Sequence, residues 1–447
     1  MKKQTIIISD LHLGGGRADP GDDHVYQNSE LAGFISELSD GEAGKKGEVE
    51  LIINGDFLEF VQVKQDAYAY ASSKLWCAEA ESLLKLECII AGHRNVFDAL
   101  GILLSRGNQV TIVAGNHDVD VYWPKVRDRL RYVTGESLSF ELGTEWISRY
   151  EGRLQISHGH MKDPANTFEN WKNPIKTAPT GPERLEMCAG TLFMVKFVTA
   201  LEVRYPFADN IHPVQNLAKL LINDEKAGFF AISWSLLKFA GQHPIAMSND
   251  NFDSYGHLLL SKIAKNQNFA EALHAIVKES QSHEYANVAD FRSKVRSESE
   301  LAMFILRYWV EIEAAGLSKQ FEPGSTNTLG LAGKNSLGLI KSSGDFGKKA
   351  LRKIAENHAK NVDHVQVIVM GHTHIWDEFQ IAKNVIYLNP GSWTRFVDLN
   401  LFPGLSLDDL RDETRFPYSL RYVQIETNGK SQLVATLKIF KEQAAVF

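Results

Sequence analysis

Five short polar clusters in this sequence carry residue types that bind metal ions. Each cluster directly follows an apolar run that is typical of a buried strand. Mixed carboxylate, amide and imidazole ligands favour divalent metals such as Mn²⁺, Fe²⁺, Zn²⁺ or Ni²⁺, and the thiolate-rich set of structural zinc sites is missing. In chain order the clusters are Asp10/His12, Asp56, Asn116/His117, His158/His160 and His372/His374.

The first cluster shows how such ligands could converge. Asp10 and His12 are two residues apart, so in extended backbone both side chains would leave the chain on the same face. The clusters together supply enough ligands for two ions that share one carboxylate. Two ions roughly 3.5–4 Å apart would clamp a phosphorus centre for in-line attack by a hydroxide that bridges them.

The segments that must position these clusters predict an α/β fold. Strand patterns at residues 5–8, 49–53 and 110–113 alternate with helical patterns, as in a sheet that carries functional groups at its strand ends. From Ser137 onwards, three short alternating segments predict an antiparallel meander at residues 137–142, 145–150 and 153–157.

The strand pattern stops near residue 160 and resumes at 364–370, followed by strands at 377–382 and 385–388 and a hairpin around Asn428-Gly429. The intervening helices are predicted at residues 182–203, 213–240, 255–280, 288–315 and 347–361. We therefore expect a discontinuous catalytic domain of residues 1–160 and 361–447, interrupted by a helical insertion of residues 161–360.

Composition limits the classes of protein that fit. A formal net charge of −7 over 447 residues argues against a surface built throughout for nucleic acid. The three cysteines form no CxxC pair, which fits a reducing compartment. Met1-Lys2-Lys3 runs directly into the first strand, and no stretch offers 18 uninterrupted apolar residues. We expect a cytoplasmic protein without a membrane span.

The order of the clusters resembles a known family. Asp10-Leu11-His12, Gly55-Asp56, Gly115-Asn116-His117-Asp118, His158-Gly159 and Gly371-His372-Thr373-His374 look like the motifs of the calcineurin-like metallophosphoesterase superfamily. The resemblance covers roughly residues 1–160 and 361–440. It implies a four-layer αββα sandwich of two sheets, with a dinuclear metal centre at the strand ends.

The resemblance also implies ligand roles. Asp10, His12 and His374 would bind one ion, and Asp56 would bridge to the second. The second ion would further take Asn116, His158 and His372. We expect Mn²⁺ in both positions before Fe, Zn or Ni, which tolerate the same ligands.

The resemblance implies catalytic roles for two neighbours of these ligands. His117 would stabilise or protonate the leaving oxygen, and Asp118 would orient His117. The family commonly has Gly-Asp-x-x-Asp, whereas this chain has Glu59 at the last position, which changes an outer contact only. We expect His160 to lie outside the ligand set or to face the substrate.

Two arginines are candidates for contacting a substrate phosphate. Arg17 follows the Gly-rich loop after the first cluster, and Arg395 follows the turn Asn389-Pro390-Gly391-Ser392. A solvated arginine is the simpler interpretation of each.

The expected activity is hydrolysis of a phosphomonoester or phosphodiester, with a small molecule as substrate. One alternative is a DNA or RNA nuclease, because double-strand-break repair nucleases share the Asp-x-His-Leu-Gly opening and Gly-Asn-His-Asp; the longest basic run in the insertion, Lys348-Lys349, gives this weak support. Another is a pyrophosphatase on a nucleotide or lipid-linked substrate. Bacterial UDP-2,3-diacylglucosamine pyrophosphatases carry a helical cap between the same motifs but have Arg in place of His117.

A non-enzymatic alternative is a scaffold that uses the insertion for protein contacts. Superfamily members of that kind generally lose metal ligands, and this sequence retains all of them. The insertion also offers a surface for a homo-oligomer.

Overall fold

The computed structural model describes residues 4–16, 28–63, 75–178, 181–188, 190–191, 194–195, 205–208, 210–212, 255–279, 284–296, 304, 347–398, 404–406, 408–428 and 432–444. By its contacts the chain divides into two compact units. Unit 1 contains Met1–His212, Phe346–Asp398 and Asp408–Phe447, and unit 2 contains Pro213–Asp345 and Leu399–Leu407. All five polar clusters lie in unit 1. Residues 161–212, which the sequence places in the insertion, also belong to unit 1.

The fold is mixed α/β. The described strands are β1 (Gln4–Ile8), β2 (Val49–Asn54), β3 (Gln109–Val113), β4 (Ser139–Glu141), β5 (Ile147–Arg149), β6 (Leu154–Ser157), β7 (Ile175–Lys176), β8 (Arg184–Leu185), β9 (Ile211–His212), β10 (Val367–Met370), β11 (Asp377–Ala382), β12 (Val385–Asn389), β13 (Val397–Asp398), β14 (Tyr418–Thr427) and β15 (Leu433–Gln443).

The described α-helices are α1 (Asn28–Asp40), α2 (Glu42–Lys45), α3 (Glu79–Gly92), α4 (Arg94–Ser105), α5 (Pro124–Thr134), α6 (Tyr255–Lys265), α7 (Gln267–Glu279), α8 (Val288–Lys294) and α9 (Lys348–Asn361). Short 3-10 segments follow two of the polar clusters, at Val119–Tyr122 and His160–Lys162, and two more lie at Asp408–Arg411 and Glu413–Arg415.

A six-stranded sheet in the order β15-β14-β1-β2-β3-β4 carries the first three clusters. Strands β1 to β4 run parallel, with Ile7 opposite Ile52 and Ile52 opposite Thr111. The carboxyl ends of β1, β2 and β3 therefore share one edge of the sheet, and Asp10, Asp56 and Asn116 follow these ends.

A five-stranded sheet in the order β11-β12-β10-β6-β5 carries the other two clusters. Strands β6 and β10 are parallel neighbours, with Ser157 opposite Met370. His158 and His372 follow these paired residues, so the fourth and fifth clusters leave the second sheet side by side.

The predicted antiparallel meander is confirmed for its last two strands and wrong for its first. Strand β4 pairs in parallel with β3 in the six-stranded sheet, whereas β5 and β6 pair antiparallel in the other sheet. Period-2 alternation indicates that one face of a strand is buried, but it does not specify the neighbouring strand. The three short strands therefore lie where the sequence predicts them, in two different sheets. The predicted hairpin of β14 and β15 is confirmed.

The two sheets share one apolar core. Ile7 and Ile52 of the first sheet cluster with Ile156 and Val369 of the second. Because side chains alternate along a strand, Ile368 and Met370 point the other way and pack against Leu351 and Ala355 of α9, together with Tyr387. Helix α4 lies against β3 of the six-stranded sheet and packs on α1 and α5.

The described helices of unit 2 are α6, α7 and α8, which pack in sequence around buried Phe269, Leu273 and Phe291. The predicted helix 255–280 is divided at Asn266 into α6 and α7. The predicted helix 347–361 is confirmed as α9, but 182–203 is wrong at its start, where β8 pairs with β7. The predicted helix 213–240 lies outside the described residues.

No single helix among those described is long and apolar enough to cross a membrane. Helices α3 and α4 meet the requirement only as a pair, which is bent by 87° at its break.

Candidate metal centre

The first and last clusters meet although they are far apart in sequence. The backbone N–H of His372 donates to both carboxylate oxygens of Asp10, at 3.0 Å to each. The Ser9 hydroxyl donates to the same carboxylate at 2.5 Å, and the Asp10 carbonyl accepts from Trp393 N–H. The loops that leave the two sheets are therefore joined directly at Asp10.

Four predicted ligands form one group that could hold a metal ion: Asp10, His12, Asp56 and His374, whose ligand atoms all lie within 4.8 Å of one another. The Nε2 atoms of His12 and His374 are 3.0 Å apart. His12 Nε2 lies 3.8 Å from Asp56 Oδ2, and His374 Nε2 lies 3.6 Å from Asp10 Oδ1. This is the set that the resemblance assigns to the first ion together with the bridging carboxylate.

A second group contains Asp56, His158 and His372, again within 4.8 Å. His158 Nε2 lies 3.1 Å from Asp56 Oδ2. Asp56 thus belongs to both groups, as a bridging carboxylate must. Asn116, the remaining predicted ligand, is buried beside the group and donates its Nδ2 to Asn166 Oδ1 at 3.3 Å.

The buried acceptor atoms of His158 and Asn116 suit a bound metal ion. The Nδ1 of His158 lies 2.8 Å from the carbonyl oxygen of Asn54, so Nε2 carries the lone pair. In that neutral tautomer Nε2 and the Asp56 Oδ2 3.1 Å away are both acceptors, and the Asn116 Oδ1 is buried with no hydrogen-bond partner among the described residues. Buried acceptors without donors are costly in a folded protein, and a cation that accepts their lone pairs removes the cost. These buried groups could hold a metal ion.

The backbone at the ligands is left-handed rather than extended. Among the described non-glycine residues eight have positive φ, and five of these are predicted ligands: Asp10 (55°), His12 (48°), Asp56 (51°), His372 (73°) and His374 (58°). The expectation that Asp10 and His12 project from extended backbone is therefore wrong. Left-handed backbone costs about 1–2 kcal/mol per non-glycine residue, and it turns the side chains inward as soon as each strand ends.

Two glycines make room for the ligands. A Cβ on Gly115 would collide with the Asp56 carboxylate, and one on Gly371 would collide with the Ser9 hydroxyl and press on the Asp10 carboxylate. Each glycine thus lies against a ligand from a different cluster. A residue with a side chain would not fit there, which explains why glycine stands at both positions.

His117 is oriented by Glu59, not by Asp118. The Nδ1 of His117 lies 2.6 Å from Glu59 Oε2, and the same oxygen lies 2.8 Å from Nδ1 of His12. Asp118 accepts instead from the backbone N–H of Phe57 at 2.8 Å and of Gly115 at 2.6 Å. The predicted role of Asp118 is therefore wrong: its carboxylate ties together the loops after β2 and β3.

Burial and the imidazoles set the charges of the carboxyl groups. Burial raises the pKa of Asp10 and raises that of Asp118 to about 7. For Asp56 burial works in the same direction, but His158 and His117 outweigh it and hold the pKa well below its ordinary value. The Asp56 carboxylate in turn raises the pKa of His158 to about 9, against the effect of burial.

The remaining predicted residues lie elsewhere. His160 is buried, with its ring 4.4 Å from that of Trp171 and 5.3 Å from that of His158, and it is outside both ligand groups. Arg395 is buried and donates to the carbonyl of Phe416 at 2.9 Å, so the solvated interpretation is wrong, and its contact with a substrate phosphate stays a prediction. Arg17 lies outside the described residues.

Three further residues contact the predicted site residues: Glu59, Asp163 and Asn166. The sequence predicts only an outer contact for Glu59 and no role for the other two. Asp163 lies 3.0 Å from His372 Nε2, and Asn166 joins Asp163 to Asn116. A carboxylate shortly after the fourth cluster is the only sequence signal for this pair.

Comparison with known proteins finds no match, either to a protein-family model or to a curated protein. The function therefore has to be inferred from the centre itself. Among the described residues three groups could hold metal ions: the two that share Asp56, and a third formed by His12, Glu59 and His117, whose side chain is 17% exposed.

Proposed function

We propose that this protein is a metal-dependent phosphoesterase of the calcineurin-like type, with two divalent ions in the centre. The observation that carries the proposal is the position of Asp56, whose carboxylate lies in both ligand groups. The ordered motifs and the two packed sheets support the same family. Mn²⁺ is the first candidate metal.

In this proposal the bound ions and the residues of the chain make different contributions to hydrolysis. Two bound divalent ions neutralise phosphate charge and lower the pKa of a coordinated water. The chain would hold the ions: Asp10, His12 and His374 group with Asp56, His158 and His372 form a second group with it, and the buried Asn116 would complete the second set.

His117 supplies the general acid in this proposal. Glu59 contacts its Nδ1, so a proton for the leaving oxygen is delivered from Nε2. The Asp56 carboxylate also accepts the backbone N–H of His117 at 2.9 Å, which ties this residue to the bridging ligand. A general acid of this kind contributes typically 10²–10⁴-fold to a rate.

The substrate is proposed to be a small phosphomonoester or phosphodiester. The three described cysteines, Cys77, Cys88 and Cys188, are all free thiols, which supports our proposal that the protein acts in the reducing cytoplasm.

The test is hydrolysis by the purified full chain loaded with Mn²⁺. We expect turnover of p-nitrophenyl phosphate or bis-p-nitrophenyl phosphate, abolished by a chelator and restored by Mn²⁺. Single- and double-stranded DNA serve as parallel substrates, and cleavage that is lost in moderate salt would identify a nuclease. Failure to hydrolyse any of these with two ions bound contradicts the proposal.

A further inference from the structure

The ligands of the second group are held from outside by a pair of residues, Asp163 and Asn166. Both follow the fourth cluster, just after the 3-10 segment His160–Lys162. Asp163 is buried, and its Oδ1 accepts the backbone N–H of Ala165 at 3.0 Å. The carbonyl of Ala165 accepts from Gly190 N–H at 2.7 Å, which anchors the segment to the chain beyond it.

The Asp163 carboxylate fixes the proton of His372. Its Oδ2 lies 3.0 Å from His372 Nε2. An ionised carboxylate only accepts hydrogen bonds, so Nε2 must be the protonated nitrogen of the imidazole. In the neutral imidazole the lone pair of His372 is then on Nδ1, which is the nitrogen that would coordinate a cation.

Asn166 fixes the amide of Asn116 by the same logic. Asn166 Nδ2 donates to Asp163 Oδ2 at 2.8 Å, which leaves Asn166 Oδ1 as an acceptor. Asn116 Nδ2 donates to that oxygen at 3.3 Å. The other amide atom of Asn116, Oδ1, is therefore the acceptor that could coordinate a cation, and it is buried with no hydrogen-bond partner among the described residues.

One chain of donors and acceptors thus decides which atoms of two ligands can coordinate. We propose that Asp163 and Asn166 are positioning residues that set the affinity of the centre for its second divalent cation. This inference rests on the proposed two-metal function. The first ion has its own outer support, because Glu59 contacts His12 Nδ1 and leaves Nε2 to the ligand group. Loss of Asp163 or Asn166 should therefore weaken the binding of the second ion and leave the binding of the first ion unchanged.

The test is a calorimetric titration of the metal-free full chain with Mn²⁺. We expect two ions in the wild type, and in Asp163→Ala a second ion bound 10–100-fold more weakly with the first ion unchanged within about threefold. Asn166→Ala should also weaken binding of the second ion, but by a smaller factor. Because it removes only one amide, it tests the inference even if Asp163→Ala does not fold. Asp163→Asn keeps an acceptor oxygen and should lie between Asp163→Ala and the wild type.

Glu50→Ala is the matched control. Glu50 is also a buried carboxylate, but it binds the Thr5 hydroxyl and Arg149 rather than a ligand. It should leave both affinities unchanged. Circular dichroism of the metal-free variants establishes that they are folded.

A second readout does not need the metal. In the metal-free wild type, ¹⁵N NMR of the histidines should show His372 protonated at Nε2, and Asp163→Ala should give a mixture of tautomers. Two ions bound equally well by wild type and Asp163→Ala would overturn this inference alone. A wild-type chain that binds no ion would instead contradict the proposed function.

Discussion

Glu59 Oε2 lies 2.6 Å from Nδ1 of His117, and the glutamate side chain is completely buried. Burial opposes ionisation of Glu59, yet His117 and His12 outweigh it and hold its pKa below the ordinary value. The carboxylate therefore stays charged and stabilises a protonated His117. It also connects the general acid to a ligand of the first ion, since the same oxygen contacts His12.

Replacing His117 separates chemistry from metal binding. His117→Ala should lower kcat by 10²–10⁴-fold, because it removes the proton donor for the leaving group. Its metal content, measured by plasma mass spectrometry, should equal that of the wild type. Loss of metal in this variant would show that His117 is a ligand rather than an acid.

Glu59 and Asp118 should differ in what they affect. Glu59→Gln should lower kcat/KM by roughly 10–100-fold, because a neutral amide orients the imidazole of His117 less well than a carboxylate. Asp118→Asn should lower the free energy of unfolding by about 1–3 kcal/mol, because an amide accepts the backbone N–H groups less well.

Steady-state kinetics across pH and urea unfolding of both variants measure these effects. A collapse of kcat in Asp118→Asn with unchanged stability, beside a fully active Glu59→Gln, would restore Asp118 as the orienting residue.

The outcome at these two positions shows what the sequence can predict. Asp10, Asp56 and the histidines could be predicted because they are carboxylates and imidazoles that directly follow apolar strands. The carboxyl ends of parallel strands lie at the same edge of a sheet, so residues that follow them come close together. The partner of His117 depends instead on how the left-handed turn at Asp56 directs Glu59. That backbone conformation is rare for non-glycine residues, and nothing in the local composition indicates it.

The sequence also did not predict which strands pair with each other. Alternation located β4 and β5, but the neighbour of each is decided by packing between the two sheets, as Ile147 in the shared core shows. Asp163 and Asn166 act through hydrogen bonds to ligands some 200 and 50 residues away, and isolated polar residues in a loop carry no such information.

Gly115→Ala should disrupt the centre, because its Cβ would collide with the Asp56 carboxylate and the Asp56 backbone N. We expect loss of metal binding and destabilisation by about 1–3 kcal/mol, typical of overpacking. Gly33→Ala is the control, since none of the described residues has an atom within 4 Å of its added Cβ in α1. It should stabilise the chain by about 0.5–1 kcal/mol. Equal behaviour of the two variants in thermal unfolding and metal titration would contradict the tight contact.

The buried carboxyl group of Asp120, which is not one of the predicted metal ligands, should make the stability of the fold depend on pH. Burial raises its pKa from 3.8 to about 6, while Ser82 and Trp76 donate to the carboxylate. The folded chain then binds this proton more tightly than the unfolded chain, so the contribution of Asp120 to stability falls as pH rises from about 4 to about 6. Asp120→Asn removes this term.

Urea unfolding at pH 4 and pH 7 measures the difference. Relative to Asp120→Asn, the wild type should lose up to about 3 kcal/mol of unfolding free energy between the two pH values. A difference between the two proteins that is the same at both pH values would show that the carboxyl group has an ordinary pKa in the fold.

The most direct test of the central claim is the number of Mn²⁺ ions bound by wild type, Asp10→Ala and Asp56→Ala, measured by equilibrium dialysis of the full chain. Because Asp56 lies in both ligand groups and Asp10 in one, we predict two ions for the wild type, one for Asp10→Ala and none for Asp56→Ala at a metal concentration that saturates the wild type. Two ions retained by Asp56→Ala, or none bound by the wild type, would contradict the account.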